Sequence, residues 1–202
     1  MPTPEVLLFK QNITYARDLI ATASALRAQV TAVINTDDLL RSALVQGVSA
    51  FDHYVHEEVR ARMIATQLGQ HRRANGYDKF RVSLASVSAA LTVGGAAWLE
   101  QEIREQHGYL SFQQPDKVAD AFRLVSDVSI WTETARQLET KPEDVKRQLK
   151  LIVDRRNKIV HAADTDPTPP RSRYPIGEAM VRDSINFLER VVDAISAVLE
   201  LE

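Results

Sequence analysis

Apolar residues recur at three- and four-residue steps along most of the chain, and strict alternation is nearly absent. That period places apolar side chains on one face of an α-helix, whereas a half-buried strand needs a period of two. The clearest case is Leu40, Leu44, Val48, Phe51, Val55 and Val59, one stripe of a helix running to about Leu68. "NTDDLL" offers Asp37 or Asp38 as its N-cap. A first long helix, rich in Ala and Leu, is expected over residues 5–34. "GQHRRANGYDKF", residues 69–80, reads as a loop, because Asn75-Gly76 lacks the alternating flanks of a hairpin.

A shorter helix over residues 81–91 is broken by Gly94 and Gly95. Another runs from Ala96 to about His107, with Gly108 as its stop. Pro115 and Asp116 open the next, and Trp131 stands near the start of one more. "TKPEDVKRQ" is a helix entry, with Thr140 as cap, Pro142 in the first turn and acidic residues behind it. This helix is expected to end near Asp164. The proline-rich loop "DTDPTPPRSRYP" follows, then a last amphipathic helix from Ile176 to about Leu201. The expected fold is a single all-α domain over residues 1–202: an N-terminal helix within 1–36 and a helical bundle over 37–202, with no internal repeat.

Composition narrows the chemistry. A chain of 202 residues is long enough for one well-cored domain and a little short for two. It has no cysteine, so disulfides, thiolate metal sites and cysteine nucleophiles are excluded, and a reducing compartment fits. No run of about 18 apolar residues appears, and "MPTPEVLLFK" lacks the basic-then-apolar order of a leader, so a cytoplasmic location away from membranes is expected. The net charge of −2 counts against broad electrostatic capture of nucleic acid. Residues 141–173 nevertheless carry nine Lys/Arg against five Asp/Glu, a local excess of four positive charges.

That excess surrounds "RRNKIVHAADTD", residues 155–166. At about 100° per residue, Leu149, Ile152, Val153, Ile159, Val160 and Ala163 share one helix face, with Arg156 in its middle. A guanidinium there is costly unless it has a partner. Asp154, Asn157 and His161 make a neighbouring stripe, so Asn157 and His161 can touch one ligand. Arg156 lies about 140° round the helix from His161 and reaches either around it or toward a second copy. The plainer reading pairs Arg156 with an acid on another helix and treats His161 as a helix-end cation. His107, beside Gly108, is likewise read as a favourable C-terminal charge.

"RNKIVH", residues 156–161, resembles the signature of HEPN domains: arginine, a polar residue, a short spacer, then histidine. "DLLRSALVQGVSAFDHYVHEEV" (38–59), "WLEQEIREQHGYLSFQQPDKVADAF" (98–122) and "LKLIVDRRNKIVHAADTD" (149–166) resemble the RiboL-PSP-type HEPN family, in the expected order. The resemblance implies a dimerising α-helical bundle in which two arginine–histidine motifs meet in one cleft. It implies metal-independent endoribonuclease activity without a cofactor. The implied setting is toxin–antitoxin or anti-phage defence, with RNA as substrate and an antitoxin or defence protein as possible partner. Some members carry a tyrosine two residues after the histidine; here that position is Ala163, so regulation through it is not expected. Other members are non-catalytic interaction or nucleotide-sensing modules.

The residue types suit RNA cleavage. Histidine moves protons near neutrality and arginine grips a phosphate with two parallel hydrogen bonds. Arg156, Asn157 and His161 are therefore the candidate catalytic set. Arg155, Lys158, Arg171 and Arg173 are candidate phosphate contacts. On the second helix, Asp52, His53, His56 and Glu57 sit within two turns. Ordinary ion pairs on a helix flank are the plainer reading and a divalent-metal hydrolase is the rival; the HEPN resemblance implies a third, in which Asp52, His53 and His56 support the cleft.

Overall fold

A computed structural model of the chain describes residues 2–29 and 35–201, and its regular elements there are helices. The all-α expectation holds. The first helix, α1 (Pro4–Gln29), buries Val6, Phe9, Ile13, Ala16, Ile20 and Ala23, one face at helical spacing. Positions 30–34 of the expected helix lie outside the described residues. The second, α2 (Asp37–Gln67), buries all six residues of the stripe read from the sequence. Its N-cap position is Thr36, not an aspartate. The Thr36 hydroxyl accepts from Arg27 Nε (2.6 Å), while Asn35 Oδ1 accepts the Asp37 N–H (2.8 Å). Asp37 and Asp38 fall in the first turn, where carboxylates favour the helix dipole.

The other helices are α3 (Leu84–Val93), α4 (Ala97–His107), α5 (Pro115–Phe122), α6 (Ile130–Gln137), α7 (Pro142–Ala162) and α8 (Glu178–Leu199). The long loop before α3 holds one 3-10 turn, Tyr77–Lys79. Gly94 (φ 72°) and Gly95 (φ 68°) end α3 in the left-handed region that glycine enters without steric cost. Thr140 does not cap α7: its N–H closes the end of α6 on the Ala135 carbonyl (3.0 Å), and Lys141 takes the cap position before Pro142. Trp131 anchors α6 to α5 by donating from Nε1 to the Pro115 carbonyl (2.8 Å).

Helix α2 is the hub and packs against α1, α4, α5, α7 and α8. A Cβ at Gly47 would lie 2.1 Å from Ile185 Cδ1, so glycine allows α8 its close approach. No helix among the described residues is long and apolar enough to cross a membrane.

The far end of α7 is fixed by a buried ion cluster. Ala163 (φ 48°) and Asp164 (φ 58°) both turn left-handed, and both N–H groups return to the Lys158 carbonyl. Asp164 is thereby carried inward and is fully buried. Arg41 of α2 donates from Nε to Oδ2 (2.7 Å), and Arg155 of α7 grips both carboxylate oxygens. The Tyr174 carbonyl accepts from Arg41 Nη2 (2.9 Å), and the Tyr174 N–H donates to the Asp164 carbonyl (2.8 Å). One carboxylate thus ties α2, α7 and the proline-rich loop together.

Removing one partner of a buried ion pair strands the others without solvent, which costs about 3–5 kcal/mol. Asp164→Ala should lower unfolding free energy by that much in urea titration. Asp144→Ala, which breaks an exposed pair with Arg147, should cost under about 1 kcal/mol. Equal, small losses would show that the Asp164 cluster contributes no more than a surface pair.

Candidate functional site

In its first turns α7 buries Val145, Leu149, Ile152 and Val153 against the bundle. The same face continues through Arg156, Val160 and Ala163, but there it emerges. Val160 is 49% exposed and Ala163 is exposed. The expected apolar face is therefore a core face only over its first half. Toward the C-terminus α7 projects beyond the neighbours that cover it, and only its flank stays anchored, through half-buried Ile159 and the Arg155–Asp164 contact.

Arg156 stands where the face leaves the core. Its Nη1 donates to Asn157 Oδ1 (3.0 Å), while its Nε is buried without a hydrogen-bond partner. No carboxylate pairs with it among the described residues. The plainer reading, an arginine matched to an acid on another helix, is not what the packing provides. An unsatisfied buried donor of this kind costs roughly 1–3 kcal/mol. His161, in the last turn, is exposed and has no hydrogen bond among the described residues. One turn below Asn157, Asp154 accepts from Lys150 Nζ (2.5 Å), and that ammonium's hydrogen bond holds its carboxyl below the ordinary value.

The four candidate phosphate contacts divide. Arg155 is occupied by Asp164, and Arg173 Nη1 pairs with Asp38 (2.5 Å). Lys158 and Arg171 are exposed and free of ion pairs among the described residues; Lys158 Nζ lies 4.9 Å from the Tyr174 ring centroid.

The α2 group forms a separate place. Asp52 Oδ1 accepts the Phe112 N–H (2.6 Å) and Oδ2 accepts Gln113 Nε2 (3.1 Å), so it anchors the α4–α5 loop. His56 Nε2 is 3.8 Å from Asp52, beyond hydrogen-bond reach. His53 is exposed. Neighbouring Gln114 donates to Asp154 Oδ1 (3.4 Å), which aligns this group with the Asp154 level of α7. His161 is seven residues farther on, roughly 10 Å of helix rise. Among the described residues no hydrogen bond or ion pair links Asp52, His53 or His56 to Arg156 or His161. His53 and His56 line, with Glu57, Arg60, Arg104 and His107, a cavity of about 330 Å³. No three His, Asp or Glu side chains among the described residues are arranged to hold a metal ion.

His107 departs most from its sequence reading. It is buried, with Phe112 and Phe80 edge-on at 5.2 and 5.9 Å between centroids and His56 at 6.3 Å. Burial first, then the neighbouring His56, pushes its imidazole down to about 4, so it is neutral near pH 7 and not a helix-end cation. No local pattern announces this, because Phe80 comes from the loop before α3 and Phe112 from the loop after α4. For Asp164 a signal does exist: Arg41 sits in α2 beside Leu40, where an unpaired charge is not tolerated. Another cavity, of about 750 Å³, lies between α5, α6 and the start of α7; its lining includes Asp116, Asp127, Trp131 and Lys146 but no histidine.

Comparison with known proteins adds no relative: no family model, no curated protein and no solved structure matches the chain.

His107 gives a pH signature. Its folded-state value lies below the ordinary 6.5, so the unfolded chain takes the proton first. Its contribution is complete above about pH 6.5 and is lost as pH falls toward 4, by at most about 1.4 kcal/mol per pH unit. Urea midpoints at pH 7.5 and 4.5 should therefore differ less in His107→Gln than in wild type. An unchanged difference would mean that this imidazole titrates alike in both states.

Proposed function

We propose that this chain is a metal-independent endoribonuclease of the HEPN type, with a cleft completed by a second copy. One observation carries the reading. The core face of α7 emerges from the bundle at Val160 and Ala163, and half-buried Arg156 at that boundary has no carboxylate partner among the described residues and an Nε without a hydrogen bond. An arginine at that boundary is accounted for if a twofold mate and a phosphate cover it. Asn157 and His161 stand beside it on the same helix.

The chemistry balances with these residues alone. One His161 takes the proton of the ribose 2′-hydroxyl as that oxygen attacks phosphorus. Arg156, with Asn157, holds the non-bridging oxygens as negative charge builds. The P–O5′ bond breaks, and the His161 of the other copy protonates the leaving oxygen. The products are a 2′,3′-cyclic phosphate and a free 5′-hydroxyl. Exposed Lys158 and Arg171 serve the flanking phosphates. A toxin or anti-phage effector, held by an antitoxin or defence partner, is the setting this reading carries. The second reading, a non-catalytic HEPN interaction or nucleotide-sensing module, is favoured by the lack of any hydrogen bond orienting His161 among the described residues.

Purified protein should cleave total RNA in EDTA and leave cyclic phosphate ends. Arg156→Ala and His161→Ala should each lower the rate by about 100-fold or more while circular dichroism is unchanged. RNA or nucleotide binding without cleavage would select the second reading, and EDTA-sensitive cleavage lost in His53→Ala would move the site to the α2 cavity.

Arg156→Met should abolish cleavage yet keep or raise the melting temperature, because an apolar side chain relieves the unsatisfied donor. A clear fall in melting temperature would mark Arg156 as structural. When wild-type chains exchange fully with an Arg156→Ala/His161→Ala double variant, activity should follow the square of the wild-type fraction. A linear dependence would exclude the shared cleft.

A further inference from the structure

Residues 82–99, "VSLASVSAALTVGGAAWL", contain no charged side chain. They include α3, a helix with no buried residue that packs chiefly on α4. It is held there by a polar latch. Buried Glu102 of α4 accepts from Ser83 Oγ (2.9 Å) and from Ser86 Oγ. The half-buried Ser86, Ala89 and Ala90 face the bundle. The opposite side carries Leu84 (86% exposed), Val87 and Leu91 (82% exposed), with small Ser88 between them. Spacings of three and four residues give an a–d–a seam of the kind that pairs helices. Val93 adds to the apolar surface at the helix end, 81% exposed.

We infer that this seam is covered by the same seam of a second copy, in an antiparallel twofold pair. Three features select a copy over a chemically different partner. The face has no charge, so two copies meet without like-charge repulsion, as the centre of an interface requires. Its ends are complementary in the antiparallel sense. Exposed Arg81 precedes α3, while the last turn of α3 has no basic residue to meet its open carbonyls. A twofold mate brings Arg81 to that end, where a cation is favourable. The apolar area is doubled when both sides supply it: Leu84, Leu91 and Val93 are each more than four-fifths exposed, and a specific interface needs on the order of 1,000 Å² in total. This pairing uses a different surface from the uncovered end of α7 and does not depend on the ribonuclease reading.

The absence of native cysteine makes the test direct. Ser88 lies near the middle of α3, so a twofold axis there places it opposite its own mate, within the Cα separation of about 4.4–6.8 Å that a disulfide spans. Ser88→Cys should oxidise to a covalent dimer at micromolar concentration, whereas Ala89→Cys, facing α4, should not. Independently, Leu84→Glu/Leu91→Glu should halve the sedimentation mass of wild type with helix content retained, since α3 supplies no core side chain. A wild-type chain that stays monomeric even at submillimolar concentration, a mass unchanged by the double variant, or equal cross-linking at both cysteine positions would each overturn the inference.

Discussion

A single buried carboxylate, Asp164, sets the geometry on which the candidate site depends. Two arginines from different helices, Arg41 and Arg155, converge on it, and the backbone of Tyr174 closes the group. Charges so removed from water are tolerated only when every polar atom finds a partner. Here that demand links the start of α2, the end of α7 and the return of the proline-rich loop. It also fixes where α7 stops, because Ala163 and Asp164 must turn left-handed for the carboxylate to reach inward. His161, in the turn just before, takes its position from this anchor.

Adjacent residues Arg155 and Arg156 show how position on a helix divides two identical side chains. Arg155 points to the flank and finds a buried acid. Arg156, 100° away, points along the core face just where the core ends, and finds only the amide oxygen of Asn157. The first is satisfied within the chain, and the second is left with a buried donor unsatisfied. A paired charge stabilises the fold, whereas an unpaired one is retained at a cost that a ligand or a second subunit can relieve. The α2 histidines differ from both. They line a separate cavity beside an aromatic cluster in which neutral His107 contributes packing and no charge.

The helices were legible because their signals are local. The stripe from Leu40 to Val59, the glycine pair after α3, Pro115 and Pro142 at helix starts, and the proline-rich loop after α7 each act through neighbouring residues on the backbone. Errors fell at caps, where a competing contact decides. Thr36 is drawn to Arg27, and Thr140 closes the previous helix. The candidate site was legible as a set of residue types on one helix: Asn157 and His161 do share a stripe, and Arg156 does fall on the core face. Which of the surrounding cations remain free was not legible, because Arg155 and Arg173 are matched to Asp164 and Asp38 across more than local distance.

The sequence by itself determined an all-helical chain, the places where most helices begin and end, and the excess of positive charge around residues 155–161, since all of these follow from periodicity, turn chemistry and composition. Tertiary structure alone decided that α7 runs past its cover, that Asp164 is buried, that His107 is neutral and that α3 presents an apolar seam to the outside. Each of these depends on which other segment arrives in space, and a helical pattern specifies a face without specifying what, if anything, will lie against it.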